Sequence, residues 1–458
     1  MSESFDTLRR QYPEFCYDGF SAEERREDIL LRFDFSIPGL CEFHPQTRII
    51  TKNLDIVNSP VSDYARRMVF FIGLAEAVSY WKCACPPKFT VRCGSLSGEE
   101  SVFFRKLWFN GLGEFFFRNG ITTDIDSFVS IDAPAPSGKT ECKRYVSTGI
   151  EIVPVGGGKD SAVTTELLRP FADSLRFFTV NDQPARTECV RAGGYDESRI
   201  IRVCRTIDPE LLRRNSEGFL NGHTPFSSVI AFLSMYVGFI TGADDVILSN
   251  ESSANESNIG GQTVNHQYSK SFEFERDFDL FRRRSFPQSA VYFSLLRPFC
   301  ELQIAKQFAA YPQYHPIFRS CNRGSKKNIW CGECPKCLFV AIMLSPFLEP
   351  EKLNEIFGCN MLDKADLKED FDGLCGFTGL KPFECVGTAE EVTLALSMTA
   401  EKYRSADAEM PALLSRFCKK NTGRADGGLL RRFNRENLIP EKFNACVKRM
   451  FDYVSATD

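Results

Sequence analysis

The sequence predicts an α/β protein built on a parallel, doubly wound sheet. Apolar runs that read as strands, expected over residues 152–155, 176–180, 200–203 and 245–248, alternate with helical segments. The apolar segment 225–240 is long enough for a buried helix. This alternation is typical of a parallel sheet with helices on both faces. Because ligands of such sheets bind beyond the carboxyl ends of the strands, we expect the functional residues in the loops that follow them.

Regions of different character flank this central part. Toward the N-terminus, alternating apolar and polar segments such as residues 29–37 predict strands, and residues 64–81 predict a helix. The C-terminal part reads as helices, of which the clearest begins with Thr388 as N-cap and has Glu391 at the capping-box position. The predicted domains are an N-terminal α+β substrate domain at 1–145, a central sheet domain at 146–346 and a helical C-terminal region at 347–458.

Composition and charge exclude several classes of protein. Hydrophobic residues make up 43% of the 458 residues and charged residues 25%, which is ordinary for a soluble folded protein. No apolar run reaches the length of about 18 residues that a membrane span needs, so we expect no membrane partner. The net charge of −4 and the pI near 5.8 argue against a broad nucleic-acid surface, which is normally basic.

Cysteine usage bears on the compartment. The first residues contain no apolar segment typical of a signal peptide. The 18 cysteines are therefore expected to be reduced thiols or metal ligands rather than disulfides. This favours a cytoplasmic protein.

The chain is organised around residues 151–168, EIVPVGGGKDSAVTTELL. Three glycines end an apolar strand there, and a helix follows that Asp160 or Ser161 can cap. Glycines allow close approach of the backbone to a ligand, and the first turn of a helix presents unpaired N–H groups. Phosphate groups bind at such sites. The segment therefore predicts a phosphate loop, although three glycines could also make only a tight turn.

Three kinds of phosphate loop can be compared with this segment. A Walker A loop would need glycine at position 153 and Ser or Thr at position 160, where the chain has Val153 and Asp160. A dinucleotide fingerprint fits two of the glycines but meets Ser161 where its last glycine should stand, although Asp182 could hold a ribose. Small residues followed by x-Asp-Ser resemble instead the pyrophosphate loop of the PP-loop ATP pyrophosphatases. That resemblance implies a sheet of the PP-loop (adenine nucleotide alpha hydrolase-like) type and cleavage of ATP to AMP and pyrophosphate.

Polar residues follow two further strands of the predicted sheet. Asn181 and Asp182 come after the second strand, and a loop with the carboxylates Glu251 and Glu256 follows the fourth. ATP cleavage generally needs Mg²⁺, which takes one or two carboxylates plus phosphate oxygens. We therefore expect Asp160 and a loop glutamate, Glu256 or Glu251, to hold magnesium, although such glutamates could also lie in a solvated loop.

Lysines could neutralise phosphate charge as it develops. Lys159 lies inside the phosphate loop and Lys270 lies further along the chain, although surface solvation is the commoner place for a lone lysine. The residues expected to bind ATP are Gly156, Gly157, Gly158, Lys159, Asp160, Ser161, Asn181, Asp182, Asn250 and Glu251.

Four cysteines lie in the short window SCNRGSKKNIWCGECPKCLF, with the spacing Cx9Cx2Cx2C. Four thiolates with two successive CxxC spacings fit a closed tetrahedral Zn²⁺ site of structural type. A four-iron cluster takes the same ligands and stays an alternative. The predicted metal ligands are Cys321, Cys331, Cys334 and Cys337.

Several motifs together resemble one enzyme family. LWFNGLGEFFFRNG, VPVGGGKDS, LSNESSANE, NHQYSKSFEFE and WCGECPKC are similar to the UDP-N-acetyl-alpha-D-muramoyl-L-alanyl-L-glutamate epimerase family. The glycine loop with the downstream cysteines also resembles the 7-cyano-7-deazaguanine synthase branch of PP-loop enzymes. The family resemblance implies ATP- and Mg²⁺-dependent inversion of a terminal L-Glu to D-Glu in a UDP-muramoyl dipeptide, a peptidoglycan precursor, with release of AMP and diphosphate.

Such an inversion needs a base, which the sequence does not single out. Adenylation of the carboxylate acidifies the α proton; a base removes it, and a proton returns on the opposite face. His223, His266 and His315 could each serve, and His266 lies in the polar loop after the fourth strand. A PP-loop enzyme that modifies a nucleobase or tRNA by amide, nitrile or thiolation chemistry is the alternative function. The catalytic candidates are Asp160, Lys159 and His266.

Overall fold

The structure is a computed structural model that describes residues 5–138, 141–142, 144–256, 265–421 and 426–456. Over these ranges the chain forms a mixed α/β protein with one mostly parallel sheet of 11 strands and many helices. The expectation of an α/β protein with a parallel sheet at its centre is confirmed.

Strands and helices alternate through the middle of the chain, after an N-terminal group of strands and before a C-terminal group of helices. The strands are β1 (Glu14–Glu24), β2 (Asp28–Ile37), β3 (Cys41–Phe43), β4 (Gln46–Ile50), β5 (Lys88–Val91), β6 (Ser130–Asp132), β7 (Glu151–Pro154), β8 (Leu175–Val180), β9 (Ile200–Thr206), β10 (Asp245–Leu248) and β11 (Val291–Ser294). The α-helices are α1 (Phe5–Gln11), α2 (Asp63–Trp81), α3 (Gly98–Gly111), α4 (Gly113–Arg118), α5 (Lys159–Leu167), α6 (Pro184–Ala192), α7 (Pro209–Ser216), α8 (Phe226–Thr241), α9 (Phe272–Ser285), α10 (Glu301–Ala309), α11 (Pro335–Leu344), α12 (Pro350–Phe357), α13 (Lys368–Leu374), α14 (Ala389–Ser405), α15 (Ala412–Lys420) and α16 (Asn444–Ser455).

The order of the strands reverses within the parallel part of the sheet. The order is β11-β10-β7-β8-β9-β4-β2-β1-β5-β6, with β3 beside β2. The strands from β11 to β9 are parallel, whereas β4 runs antiparallel to β9. The chain moves from β7 outward to β8 and β9, then returns to the other side of β7 for β10 and β11. The reversal therefore lies between β7 and β10, where sheets of this kind bind ligands.

Helices cover both faces of the parallel strands. Ile152 and Val246 enter a core that includes apolar residues of α2, α8 and α9, whereas Val153 and Ile247 enter a core with α5, α10 and α11. All four side chains are buried. Adjacent residues of a strand point to opposite faces, so a strand that is apolar at every position needs a packing layer on each side. The doubly wound arrangement follows from this pattern.

The expected parallel strands are all present, as β7 to β10, and the apolar segment 225–240 forms most of α8. The sequence did not predict β11, because its four residues (VYFS) form a very short run beside the longer α9. The capping box of α14 is confirmed: the Glu391 N–H donates to the Thr388 hydroxyl at 3.2 Å, and the Thr388 N–H donates to the Glu391 carboxylate at 2.5 Å.

One expectation about the phosphate loop was wrong. Neither Asp160 nor Ser161 caps α5; the helix begins at Lys159, and Gly158 takes the N-cap position with extended backbone (φ −96°, ψ 179°). The Asp160 carboxylate pairs with Lys159 instead, and the Ser161 hydroxyl donates to the Gly158 carbonyl at 3.0 Å. The first turn of α5 therefore starts two to three residues earlier than the sequence suggested.

The N-terminal strands continue the central sheet, because β4 pairs with β9. A buried ion pair supports this seam: Arg205 on β9 donates to the Glu76 carboxylate of α2 at 2.5 to 3.0 Å, and the side chains are 9% and 2% exposed. The division into three domains stays a prediction. Within the described ranges, the search for a helix long and apolar enough to cross a membrane finds no candidate.

We expect Glu76→Ala to lower the free energy of unfolding by about 3 to 5 kcal/mol, because Arg205 would stay buried without its counter-charge. Denaturant unfolding measures the change. Glu23→Ala is the control: Glu23 is an exposed partner of Arg25 and Arg32, so its loss should leave the unfolding midpoint nearly unchanged. Equal effects of the two substitutions would contradict the role assigned to the buried pair.

Candidate active site at the reversal of strand order

The loops after β7 and β10 lie side by side, because these strands are parallel neighbours in the sheet. The glycine loop, residues 156–158, follows β7, and the polar loop 249–256 follows β10. The connection after the neighbouring strand β11 leads to Glu301, the first residue of α10. Three strand ends thus contribute to one site.

The glycine loop is shaped to leave its outer side open. Gly157 has φ +82°, and a Cβ there would lie 3.0 Å from the backbone of Ala185. At Gly156, by contrast, no atom of the described chain lies within 4 Å of the position that a Cβ would take. No side chain in the described ranges caps α5, so the N–H groups of its first turn are available to an anion.

The polar loop after β10 contains a second feature that indicates a ligand. The Ser249 hydroxyl is buried and has no hydrogen-bond partner among the described residues. Buried hydroxyls are normally satisfied by protein, water or a bound molecule. The orphaned oxygen and the open glycine together fit a phosphate-bearing ligand at this edge of the sheet.

A cluster of carboxylates lies beside the glycine loop. Asp160, Glu251 and Glu301 can each place an oxygen within 4.8 Å of the others, and Glu251 and Glu301 are buried. The buried ammonium of Lys159 pairs with both Asp160 and Glu301. Carboxylate oxygens are the ligands that Mg²⁺ prefers, so the donor set fits this ion.

Burial and mutual repulsion set the charges of this cluster. Burial alone would lower the pKa of Lys159, but Asp160 and Glu301 outweigh it and raise the pKa, so the ammonium stays charged. Burial raises the pKa of Glu301 to about 7, against the attraction of Lys159. Burial, with repulsion from Asp160, also raises the pKa of Glu251. Both raised pKa values show that Lys159 alone does not stabilise the charged forms of Glu251 and Glu301, which a bound cation would favour.

The set of carboxylates differs from the one that the sequence suggested. Glu256 does not join Asp160; it is 40% exposed and pairs with Lys381 at 2.6 Å. Glu301 takes its place in the cluster. Sequence reasoning missed Glu301 because it follows β11, the strand that was not predicted. Had this fifth parallel strand been recognised, a carboxylate after it would have indicated a further residue of the site.

The other expected nucleotide residues lie nearby with mixed surroundings. Asn181 has φ +56°, and its side-chain oxygen accepts from the Arg205 N–H at 2.7 Å, so it shapes the turn after β8. Asp182 is half exposed and lies 3.4 Å from Arg202. Asn250 is partly buried in the loop after β10, next to Glu251. Their role in binding ATP stays a prediction.

A second polar cluster forms between α4 and the segment around His266. Glu114, His223 and His266 can each place a ligand atom within 4.8 Å of the others. The Nδ1 atom of His266 lies 2.5 Å from the Glu114 carboxylate, and the two imidazole rings are 4.2 Å apart. The geometry suits proton transfer, and it could also hold a metal ion. Of the other histidines, His315 lies apart, buried against Phe308.

Cys385, which sequence reasoning did not single out, borders the same cluster. The Lys270 ammonium donates to the Cys385 sulfur at 3.1 Å. Burial would raise the pKa of Cys385, but Lys270 and a hydrogen bond with His266 outweigh it and lower the pKa to about 5. Burial has the opposite effect on His266 and would lower its pKa, but Cys385 and Glu114 outweigh it and raise the pKa to about 9. A thiolate and an imidazolium therefore face each other at neutral pH.

Lys270 connects the two clusters. Attraction to Cys385 is the main cause that raises its pKa, and Glu251 and Asp160 of the carboxylate cluster add to it. The Lys270 ammonium is thus attracted both by the Cys385 thiolate and by these carboxylates. Lys270 therefore links the carboxylate cluster beside the glycine loop with the cluster around His266.

The four predicted metal-ligating cysteines converge on one point. All four sulfurs lie within 4.8 Å of one another, with separations of 3.4 Å for Cys334–Cys337, 3.7 Å for Cys331–Cys337 and 3.8 Å for Cys321–Cys334. Tetrahedral zinc with Zn–S bonds of about 2.3 Å places sulfurs about 3.8 Å apart. The donor set therefore fits a zinc ion.

The segment around these cysteines, residues 317–337, is the cysteine loop, and it packs against both parts of the active site. The Arg319 N–H donates to the Gly157 carbonyl at 2.8 Å. At the other side, Asn322 donates to Glu384 at 2.7 Å, and the Lys336 ammonium donates to the Cys385 carbonyl. The cysteine loop thus fixes the glycine loop and the segment that carries Cys385.

Two family models match different parts of this chain. The family model described as the MurL N-terminal domain matches residues 6–295, and the model described as the MurL C-terminal domain matches residues 317–426. This chain belongs to the MurL family. The resemblance that the motifs indicated is confirmed.

Three similar MurL proteins are each named UDP-N-acetyl-alpha-D-muramoyl-L-alanyl-L-glutamate epimerase. The protein of Xanthomonas oryzae pv. oryzae is 34% identical over 356 residues, which cover 76% of this chain and 77% of the relative. The protein of Salinispora tropica is 31% identical over 417 residues, with 88% and 89% covered, and that of a Micromonospora species is 30% identical over 411 residues, with 87% and 89% covered.

The two MurL matches contribute different parts of the site. The N-terminal match contains the glycine loop, Glu114, Glu251 and His266, whereas the C-terminal match contains the four cysteines and Cys385. Glu301 lies on the stretch between the two matches. The site is complete only when both matched parts pack together.

We expect Gly157→Ala to destabilise the fold by about 1 to 3 kcal/mol, because the new methyl group needs a left-handed conformation and meets Ala185. Gly156→Ala should leave thermal stability unchanged, since the space there is open, but should weaken ATP binding because the methyl group enters the ligand's space. Thermal unfolding and nucleotide titration of both variants check this. Unchanged ATP affinity in Gly156→Ala would contradict the location of the phosphate site.

Proposed function

We propose that this chain is an ATP-dependent epimerase that inverts the terminal L-glutamate of UDP-N-acetylmuramoyl-L-alanyl-L-glutamate to D-glutamate, in the synthesis of peptidoglycan precursors. The reaction passes through an acyl-adenylate and releases AMP and diphosphate. The observation that carries the proposal is the position of Lys270, which donates to Cys385 beside the acid–base cluster and is attracted by Glu251 and Asp160 of the carboxylate cluster. The names of the three relatives support the choice of substrate.

The chemistry explains why ATP is consumed. The α proton of a carboxylate is very weakly acidic, because its removal places a second negative charge beside the first. Adenylation removes the first charge and makes the α proton more acidic. A base then takes the proton, a proton returns on the other face, and water releases AMP. The site must therefore bind a triphosphate and move protons within a few ångströms of each other.

We assign the nucleotide to the phosphate-type edge of the sheet, in a fold of the PP-loop type. The glycine loop and the first N–H groups of α5 bind the β and γ phosphates. Lys159 holds Asp160 and Glu301 in place, and Glu251 completes the carboxylate set. Mg²⁺ bound there would neutralise charge that develops on the phosphates.

We assign proton transfer at Cα to the cluster around His266. Glu114 orients the imidazole through the hydrogen bond to Nδ1 and favours its charged form. Lys270 links this cluster with the carboxylates beside the glycine loop. The names of the three relatives favour the epimerase over a PP-loop enzyme that modifies a nucleobase or tRNA.

The four cysteines are proposed to hold a structural zinc ion. Their sulfur separations fit tetrahedral coordination, and each position is taken by protein, which leaves none for catalysis. The role of this zinc ion is to stabilise the cysteine loop, which contacts the glycine loop and Cys385. Reduced thiols and ATP are both available in the cytoplasm, where we place the reaction.

The central test is incubation of the purified chain with ATP, Mg²⁺ and UDP-N-acetylmuramoyl-L-alanyl-L-glutamate in D₂O. We expect AMP and diphosphate, D-Glu on chiral analysis of the hydrolysed product, and one deuterium at Cα. Omission of ATP should prevent inversion. AMP formation that depends on a nucleobase or tRNA instead of the dipeptide would favour the alternative function.

Glu301→Gln should reduce AMP formation at least about tenfold and raise the Mg²⁺ concentration needed for half-maximal rate, because a charged donor is lost. Glu256→Gln is the matched control, since Glu256 is exposed and pairs with Lys381. Its rate should stay near that of the wild type. The measurement is the initial rate of AMP release against Mg²⁺ concentration, and a larger effect of Glu256→Gln would reverse the assignment.

Cys334→Ser should lower the zinc content below one ion per chain, lower the Tm and weaken ATP binding. The reason is that the cysteine loop would no longer keep Gly157 in position. Cys359→Ser is the control, as Cys359 is half-buried near Gly332 but lies outside the cluster. Elemental analysis, thermal unfolding and ATP titration report the three quantities. Iron instead of zinc in the wild type would point to an iron–sulfur cluster.

A further inference from the structure

The environment of Cys385 differs from that of other thiols in the chain. Burial raises the pKa of Cys83 and of Cys375 to about 12, so both stay neutral. Cys385 is only partly buried, and an ammonium and an imidazole flank its sulfur. A thiol in such surroundings is a thiolate, which is the reactive form.

The neighbours of Cys385 form a chain of contacts that ends at the carboxylate Glu114. Lys270 donates to the sulfur at 3.1 Å, the sulfur and His266 share a hydrogen bond, and His266 lies 2.5 Å from Glu114. A nucleophile or base beside an imidazole that a carboxylate orients is a recurring arrangement of catalytic groups. The segment is held in place by Lys336, which donates to the Cys385 carbonyl.

We propose that Cys385 is a catalytic acid–base residue that exchanges the α proton of the activated glutamyl residue together with His266. The inference rests on the proposed function and names the second group that an inversion requires. In the substrate-free structure the Cys385 sulfur and the His266 imidazole contact each other. In the complex, Cα of the substrate lies between them, so that one group faces each side of Cα.

The proton balance closes over one turnover. The Cys385 thiolate takes the α proton and becomes a thiol, and the electron pair of the broken C–H bond moves into the acyl group as an enolate. The His266 imidazolium gives its N–H proton to the opposite face of Cα, which forms the new C–H bond and leaves a neutral imidazole. After product release, the thiol proton passes to the imidazole and restores the initial pair.

Lys270 and Glu114 act as positioning residues in this scheme. Lys270 stabilises the thiolate, and Glu114 stabilises the imidazolium. The sulfur faces the charged or titratable groups of Lys270, His266 and Lys336, and the imidazole also faces His223 and Glu384. The ion pair is complete between the pKa of Cys385, about 5, and that of His266, about 9.

The test compares Cys385→Ala and Cys385→Ser with the control Cys418→Ala, which removes a half-buried thiol on α15 outside the site. With UDP-N-acetylmuramoyl-L-alanyl-L-glutamate, ATP and Mg²⁺ in D₂O, AMP release and inversion are measured in the same sample. Both Cys385 variants should still release AMP within about threefold of the wild type, since the adenylate is hydrolysed by water, but inversion should fall about 10²- to 10⁴-fold. Retained AMP release shows that the variants are folded.

The outcomes separate this role from the proposed function. If the wild type inverts the dipeptide and the Cys385 variants do so within threefold, the catalytic role is overturned while the epimerase stands. A parallel loss of AMP release and inversion also overturns the catalytic role of Cys385, because the substitutions would then act on the ATP site. Failure of the wild type to invert the dipeptide overturns both. A thioester of the substrate on Cys385, found by mass spectrometry, would replace proton transfer by covalent catalysis.

The pH profile gives a second measurement. The rate of inversion should rise through about pH 5 as Cys385 ionises and fall through about pH 9 as His266 loses its proton. In Lys270→Met, the acid limb should move to higher pH, because the thiolate loses its counter-charge and its pKa rises. An acid limb that stays in place in this variant would contradict the thiolate role.

Discussion

A cluster of carboxyl groups at the reversal of strand order, two of them buried, determines how the candidate active site is built. Asp160, Glu251 and Glu301 share a small volume with the buried ammonium of Lys159. Burying several carboxylates together costs free energy unless cations and hydrogen bonds compensate. The strand order brings them together, since β10 lies next to β7 and β11 lies next to β10, so that the segments after these strands meet near the glycine loop. Such a set of donors suits a divalent cation and the phosphates that it binds.

The cysteine loop gives this edge of the sheet its support. It contacts Gly157 on one side and the segment of Glu384 and Cys385 on the other, so one small structural centre fixes two reacting regions. Reactive groups hold their geometry best when the surrounding shell is itself locked. Four thiolates around one zinc ion are an effective way to lock a loop that has little regular structure.

The site divides a difficult reaction between two neighbouring places. In the proposed reaction, adenylation takes place at the open glycine loop and the carboxylates, whereas proton transfer takes place at the cluster around His266. Lys270 lies between them and interacts with both the thiolate and the carboxylates. This closeness matters because an acyl-adenylate is labile in water, so the α proton must be exchanged where the adenylate forms.

The sequence by itself determined the local features: the apolar strands β7 to β10, the glycine loop and the four cysteines. Each follows from a short-range rule, namely the side-chain alternation of strands, the torsional freedom of glycine and the spacing of CxxC ligands. Only the tertiary structure decided that Glu301 replaces Glu256 beside Asp160, and that Glu114 and Cys385 meet at His266. No local spacing encodes these contacts, because they join residues far apart in the chain that only strand order and helix packing bring within reach.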